Sequence, residues 1–357
     1  MDRIRVLHCI HSLSGGGAER QLKILADESA KQAMDAGIFC VRDLGRDDLQ
    51  DASVRVYTSK SQKRYNFSLV GSLNSAIDDF KPAVLHAWLP ASMTIPAMAL
   101  AALRSIPCVF SYRNVMSFRR FLAFPEYMAS MLFATRVVSN NCIRSSNLAY
   151  RLMYHVKNGV RINNAVRIDS RWLKATPERS DDAWNVLFVG RLTRAKNWPC
   201  LLRAIALLQS HREVSLTICG DGEQREQMRM MIADLGLGGI VKYLGYQRNI
   251  YQLMQASDLL VLPSLWEGMP NVLLEALGIG LPCLISDIPA HRDIIGTTKA
   301  ALMFDPADPQ ELAMQITLVR NNVALARQLA QEGKKVVQDY TPERMARAHY
   351  EFYARMN

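Results

Sequence analysis

The stretch that decides the fold is Asp258-Leu-Leu-Val-Leu-Pro-Ser-Leu-Trp-Glu267-Gly268-Met-Pro-Asn271-Val-Leu-Leu-Glu275-Ala-Leu-Gly-Ile-Gly-Leu-Pro-Cys-Leu-Ile-Ser-Asp287. The apolar run 259–262 is typical of a buried parallel strand. Asn271 can cap a helix that ends at Gly278 or Gly280. Residues 282–285 then form the next predicted strand. This order of strand, loop, helix and strand predicts a parallel α/β sheet.

Two glutamates flank the junction of loop and helix in this stretch. Glu267 follows the strand, at the edge where open parallel sheets bind ligands, and Glu275 lies one turn into the helix. The backbone amides of residues 269–272 form a helix N-terminus, which favours anions. Two isolated glutamates would be interpreted as solvated surface residues. Within Pro-Ser-x-x-Glu-Gly-x-Pro-Asn-x-x-x-Glu-Ala-x-x-x-Gly-x-Pro, they indicate a site for a sugar or ribose beside a phosphate.

The length of 357 residues predicts two domains of ordinary size, and the composition is globular, with 49% hydrophobic residues. No apolar run reaches about 18 residues, so no membrane-spanning helix is expected. The N-terminal apolar run is too short for a signal peptide. The 7 scattered cysteines are predicted to be small core residues in a reducing cytosol.

The net charge of +10 is concentrated in one segment, residues 104–174, which hold 12 Lys or Arg and only two acids, Glu126 and Asp169. Within it, residues 115–135 mix arginines with Phe, Leu and Met, a mixture expected of a membrane-surface segment. A helix packing one apolar side into the core is the equally weighted alternative. The charge therefore predicts an anionic partner, either phosphate, nucleic acid or membrane.

The first half of the chain begins with a predicted strand, residues 5–10, a glycine loop, residues 12–20, and a helix, residues 21–31. This layout lets a backbone approach an anion at the helix start, although a simple helix-entry turn is the better interpretation of the loop alone. His86 ends a further strand. A lone histidine there is usually structural, but this edge is expected to face a cleft between domains.

The polar residues 174–184 are the predicted linker. The domains are therefore placed at residues 1–174 and 175–340, with a C-terminal helix, residues 341–357, returning to the first domain. The second domain opens with a strand over 185–190, followed by Arg191 and Lys196. Two cations at the carboxyl end of a strand complement an anionic group.

At these residues the chain resembles family 4 of the retaining glycosyltransferases, which have the two-domain GT-B fold. The two glutamates separated by seven residues mark the family. Its Gly-Gly-Ala-Glu-Arg segment matches residues 16–20, and its Gly-Arg-Leu-x-x-x-Lys motif matches residues 190–196. The resemblance implies an α/β fold class with two doubly wound Rossmann-like domains facing a cleft.

The chain departs from the family pattern at two places. Many members end a Thr-x-His motif with a histidine near the reacting sugar, whereas this chain has Ser111-Tyr112-Arg113. Arg113 could steady a phosphate or orient the acceptor, because a guanidinium cannot act as a base. The family's Asn-Gly-(Ile/Val)-Asp segment is matched only in part, at Asn164.

Residue roles follow from the resemblance together with the local chemistry. The expected catalytic residues are Glu267, Arg191, Lys196 and Arg113. The expected donor-binding residues are Gly16, Gly17, Gly190, Tyr246, Gly268, Met269, Pro270, Asn271, Val272 and Glu275. The expected acceptor-binding residues are Glu19, Arg20, His86, Arg119 and Arg120. No cofactor and no metal are expected, because the chain lacks the Asp-x-Asp motif of the other large glycosyltransferase fold.

The sequence thus predicts a metal-independent, retaining glycosyltransferase of bacterial surface polysaccharide assembly. Its expected partners are a nucleotide-diphosphate sugar, with UDP as the preferred nucleotide, a lipid-linked glycan acceptor and an anionic membrane surface, without nucleic acid. The expected location is cytoplasmic, on the inner face of the cytoplasmic membrane. One alternative is a sugar-nucleotide epimerase of the same fold. The other is a non-enzymatic basic protein that binds membranes or nucleic acid.

Overall fold

The computed structural model describes residues 3–42, 49, 53–59, 67–89, 93–113, 129, 132–140, 154–174, 184–208 and 214–356. Contacts divide the chain into two units. Unit 1 comprises Met1–Ala165 and Thr341–Asn357, and unit 2 comprises Val166–Tyr340.

Unit 1 is built on a parallel sheet of seven strands. They are β1 (Ile4–Ile10), β2 (Met34–Cys40), β3 (Arg55–Thr58), β4 (Val84–Trp88), β5 (Cys108–Tyr112), β6 (Arg136–Ser139) and β7 (Val160–Arg161). Their order in the sheet is β3-β2-β1-β4-β5-β6-β7. Strands β4 and β5 are buried along their whole length, because both faces of the sheet are covered by apolar clusters.

Unit 2 contains a parallel sheet of six strands. They are β8 (Trp184–Val189), β9 (Val214–Cys219), β10 (Val241–Tyr243), β11 (Leu259–Leu262), β12 (Cys283–Ser286) and β13 (Leu302–Phe304). The order is β10-β9-β8-β11-β12-β13, with one apolar cluster on each face. The strand order reverses between β8 and β11, and this is the point where open α/β sheets bind ligands.

Helices connect the strands in both units. In unit 1 they are α1 (Gly17–Ser29), α2 (Phe67–Phe80) and α3 (Thr94–Leu103). In unit 2 they are α4 (Trp198–Leu207), α5 (Arg225–Asp234), α6 (Tyr251–Gln255), α7 (Asn271–Ile279), α8 (Pro289–Ile295), α9 (Pro309–Asn321) and α10 (Val323–Val337). Helix α11 (Pro342–Ala354) belongs to unit 1 and contacts α1. Short 3-10 helices cover Ala30–Gln32, Ser170–Trp172 and Arg194–Lys196.

The predicted fold class is confirmed: each unit is a doubly wound, Rossmann-like α/β domain. Two local features differ from the sequence prediction, and strand β2 was not predicted. Helix α1 already begins at Gly17, within the predicted glycine loop. The N-cap of α7 is Pro270, whose extended backbone makes Asn271 the first helical residue rather than the cap. Strand β2, Met-Asp-Ala-Gly-Ile-Phe-Cys, has weak strand propensity and is held by pairing with β1 and β3.

The units divide after Ala165, whereas the sequence places the boundary at residue 174. Residues 166–174 lie in unit 2 because their apolar side chains pack there. Trp172 stacks on Tyr251 at 5.8 Å between ring centroids, and the amide of Val166 donates to the carbonyl of Tyr340 at 2.9 Å. The predicted linker spans residues 174–184, and its residues 175–183 lie outside the described residues.

The six described cysteines are buried and free, which confirms their predicted packing role, while Cys142 lies outside the described residues. In the part of the chain that the structure describes, none of the helices has the length and apolar character needed to cross a membrane.

Candidate active site

The loops after β8 and β11 are joined by backbone and amide hydrogen bonds at the switch point of the unit 2 sheet. The amide of Leu265, after β11, donates to the carbonyl of Ala195, after β8, at 2.8 Å. The side chain of Asn197 donates to the carbonyls of Pro263 at 3.0 Å and Pro306 at 2.8 Å. These bonds fix the relative positions of the two loops, one of which carries Lys196 and the other Glu267.

Lys196 and Glu267, predicted from motifs 71 residues apart, form an ion pair. Ser264 donates to the same carboxylate oxygen, Oε1 of Glu267, at 2.7 Å. Burial alone would raise the pKa of Glu267, but Lys196, His291 and the Ser264 hydroxyl together bring that pKa below its usual value. Glu267 is therefore a charged, fixed acceptor for hydrogen bonds from hydroxyl groups.

His291 supports this carboxylate from α8. Its Nδ1 donates to the carbonyl of Ser286 at 2.8 Å, and the hydroxyl of Ser286 donates to the carbonyl of Ser264. Burial lowers the pKa of His291 despite the opposing effect of Glu267, so the ring is neutral. A relay of two serines thus links His291 to the loop that holds Glu267.

Arg191 is exposed at the carboxyl end of β8, whereas Gly190 and Lys196 are partly covered. A Cβ at residue 190 would lie 3.4 Å from Cδ of Lys196. The absence of a side chain at Gly190 therefore leaves space for the lysine side chain. Lys196 thus lies in the loop after β8 and pairs with Glu267 of the loop before α7, and the exposed Arg191 lies at the start of the same loop as Lys196.

The start of α7 provides further polar groups. Its first backbone amides, from Asn271 and Val272, have no carbonyl one turn earlier within the helix. Gly268 precedes them in the loop, and the side chain of Met269 is buried, so only its backbone can face a ligand. Glu275 is 3% exposed on the second turn of this helix. The predicted carboxylate pair therefore comprises one partly covered and one enclosed side chain.

Two glycines that the sequence prediction did not single out bring the loop after β9 against the loop after β8. A Cβ on Gly220, whose φ is +136°, would lie 1.9 Å from the carbonyl oxygen of Gly190. A Cβ on Gly222 would lie 2.4 Å from the carbonyl oxygen of Leu192. The amide of Gly220 also donates to the carbonyl of Gly245 at 2.8 Å, next to Tyr246, which is 61% exposed. Tyr246 thus offers an exposed aromatic face at a position that the sequence assigns to donor binding.

In unit 1 the predicted glycine segment lies at the start of α1. Gly16 is the N-cap, and the side chain of Glu19 folds back over it, because a Cβ at residue 16 would lie 1.9 Å from Oε2 of Glu19. A carboxylate in this position interacts favourably with the helix N-terminus. Gly17 and Arg20 are exposed.

His86 does not fit its predicted role in acceptor binding. The side chain is 0% exposed. Both ring nitrogens form hydrogen bonds within unit 1: Nδ1 with the hydroxyl of Tyr353 at 2.6 Å, and Nε2 with the hydroxyl of Ser111 at 2.6 Å. Burial, followed by His8, His349 and Arg113, lowers the pKa of His86 well below its usual value. The imidazole is a neutral packing group, because β4 is covered by α11 at this end.

Arg113 lies at the end of β5 and is 5% exposed. Its Nη1 donates to Oδ1 of Asn164 at 2.9 Å, and its guanidinium carbon lies 4.2 Å from the centroid of a Trp88 ring. Burial lowers the pKa of Arg113 to about 10. The predicted Arg113 and Asn164 are therefore neighbours, although they come from different motifs.

Arg119 and Arg120 lie outside the described residues. Sequence reasoning named neither Ser264 nor His291 as a site residue. Ser264 stood within the quoted Pro-Ser-x-x-Glu pattern and offered a signal, whereas nothing in the sequence around His291 indicated a link to Glu267. Among the described residues, no group of three or more His, Cys, Asp and Glu side chains could hold a metal ion.

The family model described as "Glycosyl transferases group 1" matches residues 170–336, and the model "Glycosyltransferase Family 4" matches residues 15–141. The lipopolysaccharide core biosynthesis glycosyltransferase LpsD of Rhizobium meliloti is 27% identical over 344 residues, which are 94% of this chain and 93% of the relative.

Two further similarities concern a transferase and a fold. The GalNAc-alpha-(1->4)-GalNAc-alpha-(1->3)-diNAcBac-PP-undecaprenol alpha-1,4-N-acetyl-D-galactosaminyltransferase of Campylobacter jejuni is 31% identical over 159 residues, 43% of this chain and 44% of the relative. The crystal structure of Anabaena HepE with UDP and glucose superposes with a TM-score of 0.81 at 18% identity, covering 99% of this chain and 100% of that one. The chain therefore belongs to the group 1 glycosyltransferases and has their two-domain GT-B fold.

Proposed function

We propose that this glycosyltransferase moves a sugar from a nucleotide-diphosphate sugar, with UDP as the preferred nucleotide, to a lipid-linked glycan during assembly of a bacterial surface polysaccharide. The names of two relatives support this proposal, one a lipopolysaccharide core glycosyltransferase and the other acting on an undecaprenol-linked glycan. HepE, with the same fold, has been solved with UDP and with UDP-glucose.

The observation that carries the proposal is the ion pair of Lys196 and Glu267 at the switch point of the unit 2 sheet. Lys196, the exposed Arg191 and the first amides of α7 together suit a diphosphate. Glu267 suits hydroxyls of the transferred sugar, Glu275 the ribose hydroxyls and Tyr246 the base. Lys196, Arg191 and the amides of α7 stabilise the charge that grows on the leaving diphosphate, so no metal ion is needed.

Retention of configuration is proposed to occur by transfer on one face of the donor sugar. The bond from the anomeric carbon to the diphosphate breaks, the acceptor oxygen bonds to that carbon on the same face, and the acceptor proton passes to the departing phosphate. Glu267 as a nucleophile is the alternative. Its engagement by Lys196 and Ser264 favours a role in orienting the sugar, because both partners reduce the nucleophilicity of the carboxylate.

A thermal-shift screen with UDP-, GDP- and ADP-sugars tests the donor, because a ligand that binds the native state raises apparent stability. We expect UDP-sugars to give the largest shift, and activity with the stabilising donor to survive EDTA. Loss of activity in EDTA with rescue by a divalent metal would contradict the metal-free mechanism. Formation of an epimerised nucleotide sugar without acceptor would favour the epimerase alternative.

Docking on the inner face of the cytoplasmic membrane is proposed from the basic segment 104–174. Basic residues near an anionic leaflet contribute about 1 kcal/mol each. Flotation with anionic vesicles at low salt should recover the protein, and reversing Arg119 and Arg120 to Glu should weaken recovery. The matched control reverses Arg225 and Arg229, two exposed arginines outside the segment. Equal and negligible binding to neutral and anionic vesicles would remove this part of the proposal.

A further inference from the structure

Arg113 is a buried cation whose hydrogen-bonding capacity is only partly used. Nη1 donates to Asn164, but Nε and Nη2, which lie along one edge of the guanidinium, are buried and have no hydrogen-bond partner among the residues that the structure describes. Among the described residues, no carboxylate forms an ion pair with Arg113. Since an uncompensated buried charge is costly, this edge is an incomplete site for an anion.

A second unsatisfied polar group lies beside it. Asn140, which follows β6, donates from Nδ2 to the same Oδ1 of Asn164 that accepts from Arg113, at 3.1 Å. The remaining Oδ1 of Asn140 is buried and has no hydrogen-bond partner in the described part of the chain. Asn164 therefore binds both side chains: the guanidinium of Arg113, which has two unused N–H groups, and the amide of Asn140, which has one unused acceptor oxygen.

The surroundings of Arg113 stay neutral. A ring of Trp88 lies over the face of the Arg113 guanidinium. This contact does not provide a hydrogen-bond acceptor for the N–H edge. Burial, His349 and Arg113 lower the pKa of His8 to about 3, and burial and Arg113 lower that of His349 to about 3. These imidazoles are uncharged and cannot repel or neutralise an incoming group.

We propose that Arg113 and Asn140 form a subsite for an acidic sugar. The Nε and Nη2 edge binds the carboxylate in two parallel hydrogen bonds, and Oδ1 of Asn140 accepts a hydrogen bond from a sugar hydroxyl. A planar guanidinium edge matches a carboxylate, and the neighbouring acceptor matches a hydroxyl of the same sugar. This proposal rests on the proposed function and on the expectation from the sequence that the acceptor-binding residues belong to unit 1.

Binding of sodium glucuronate, glucose and inorganic phosphate to the full-length protein tests the subsite, measured by calorimetry and thermal shift. We expect glucuronate to bind about tenfold or more tightly than glucose, because bonds to a charged group are the stronger ones. Arg113→Gln should remove this preference. Arg104→Gln is the matched control: Arg104 is an arginine of unit 1 that is already paired with Asp78 and should leave the preference unchanged.

Stability separates this role from a purely structural one. Arg113→Gln removes an uncompensated charge, so its thermal midpoint should not fall. Asn140→Asp places a carboxylate beside Arg113, and we expect a raised midpoint together with loss of glucuronate binding. Equal binding of glucuronate and glucose, tighter binding of phosphate, or a preference that survives in both variants would overturn the proposal. A shift with UDP but none with glucuronate would reject the subsite alone, whereas glucuronate binding without any nucleotide-sugar binding would reject the proposed function.

Discussion

At the residue scale, the proposed diphosphate site depends on two cations in different surroundings. Lys196 is 19% exposed and paired with Glu267, whereas Arg191 is exposed at the end of β8. A ligand that enters this site would share the lysine with Glu267 and would meet the arginine directly. Both cations would then lie close to the charge that grows on the leaving group.

We expect Arg191→Ala and Lys196→Ala each to lower turnover. The loss should correspond to about 2–4 kcal/mol of transition-state stabilisation, as for loss of one preorganised donor. Steady-state kinetics with the identified donor measures the loss. Arg194→Ala is the control, because Arg194 is exposed on the same 3-10 helix. Near wild-type turnover in both test variants would contradict the diphosphate role.

Substitutions of Glu267 and Glu275 should affect different quantities, turnover for the first and nucleotide affinity for the second. Glu267→Gln removes the charge that Lys196 and Ser264 hold in place, so we expect kcat to fall while nucleotide affinity changes little. Glu275→Gln should mainly weaken binding of the isolated nucleotide, because the ribose contact is made in the ground state. Calorimetry with the nucleotide and steady-state kinetics give the two readouts. Unchanged nucleotide affinity in Glu275→Gln would refute the ribose contact.

At the element scale, the loops after β8, β9 and β10 are packed through backbone rather than side chains. Gly220 joins all three, because its amide bonds to Gly245 and its α-carbon lies against the carbonyl of Gly190. The loop that carries Arg191 and Lys196 therefore keeps its position only if residue 220 has no side chain.

We expect Gly220→Ala to destabilise unit 2 by about 1–3 kcal/mol, the usual cost of a strained backbone position, and to weaken donor binding. The new Cβ would meet a backbone oxygen that cannot rotate away. Gly239→Ala is the control, because no atom of the described residues lies within 4 Å of a Cβ there. Urea unfolding followed by donor titration measures both effects. Equal urea midpoints for the two variants would show that the loops can move apart without loss of stability.

At the scale of the whole molecule, the buried histidines predict the response to acid. Burial is the first cause that lowers the pKa of His8 and His349 to about 3, so both stay neutral in the folded protein. In the unfolded chain they ionise near pH 6.5. Between these values the unfolded state binds more protons, and stability therefore falls as pH falls.

We expect the free energy of unfolding to be highest above about pH 6.5 and to decline below it by about 1.4 kcal/mol per pH unit for each such histidine. Urea unfolding at pH 8, 7, 6 and 5 measures the slope. His349→Gln should reduce the slope, whereas substitution of the exposed His155 serves as the control. A slope that does not change in His349→Gln would contradict a neutral buried imidazole.

Much of the site could be predicted because its chemistry lies in short motifs. Gly190 to Lys196 and Glu267 to Glu275 each follow a buried strand, and parallel strands end at one sheet edge. The contacts of His86 and the partners of Arg113 could not be predicted, because they come from residues far along the chain, such as Tyr353 and Asn164. Local spacing contains no information on such partners.

The sequence by itself determined that the chain forms two α/β domains, that the group 1 motifs are present and which strand ends carry them. These features follow from local periodicity and from the turn chemistry of glycine and proline. Only the tertiary structure decided that residues 166–174 pack with unit 2, that His86 is enclosed and that Arg113 has an unsatisfied edge. Burial and partner choice depend on which distant segments pack together, and the free energy of that packing is a property of the whole fold rather than of any short stretch.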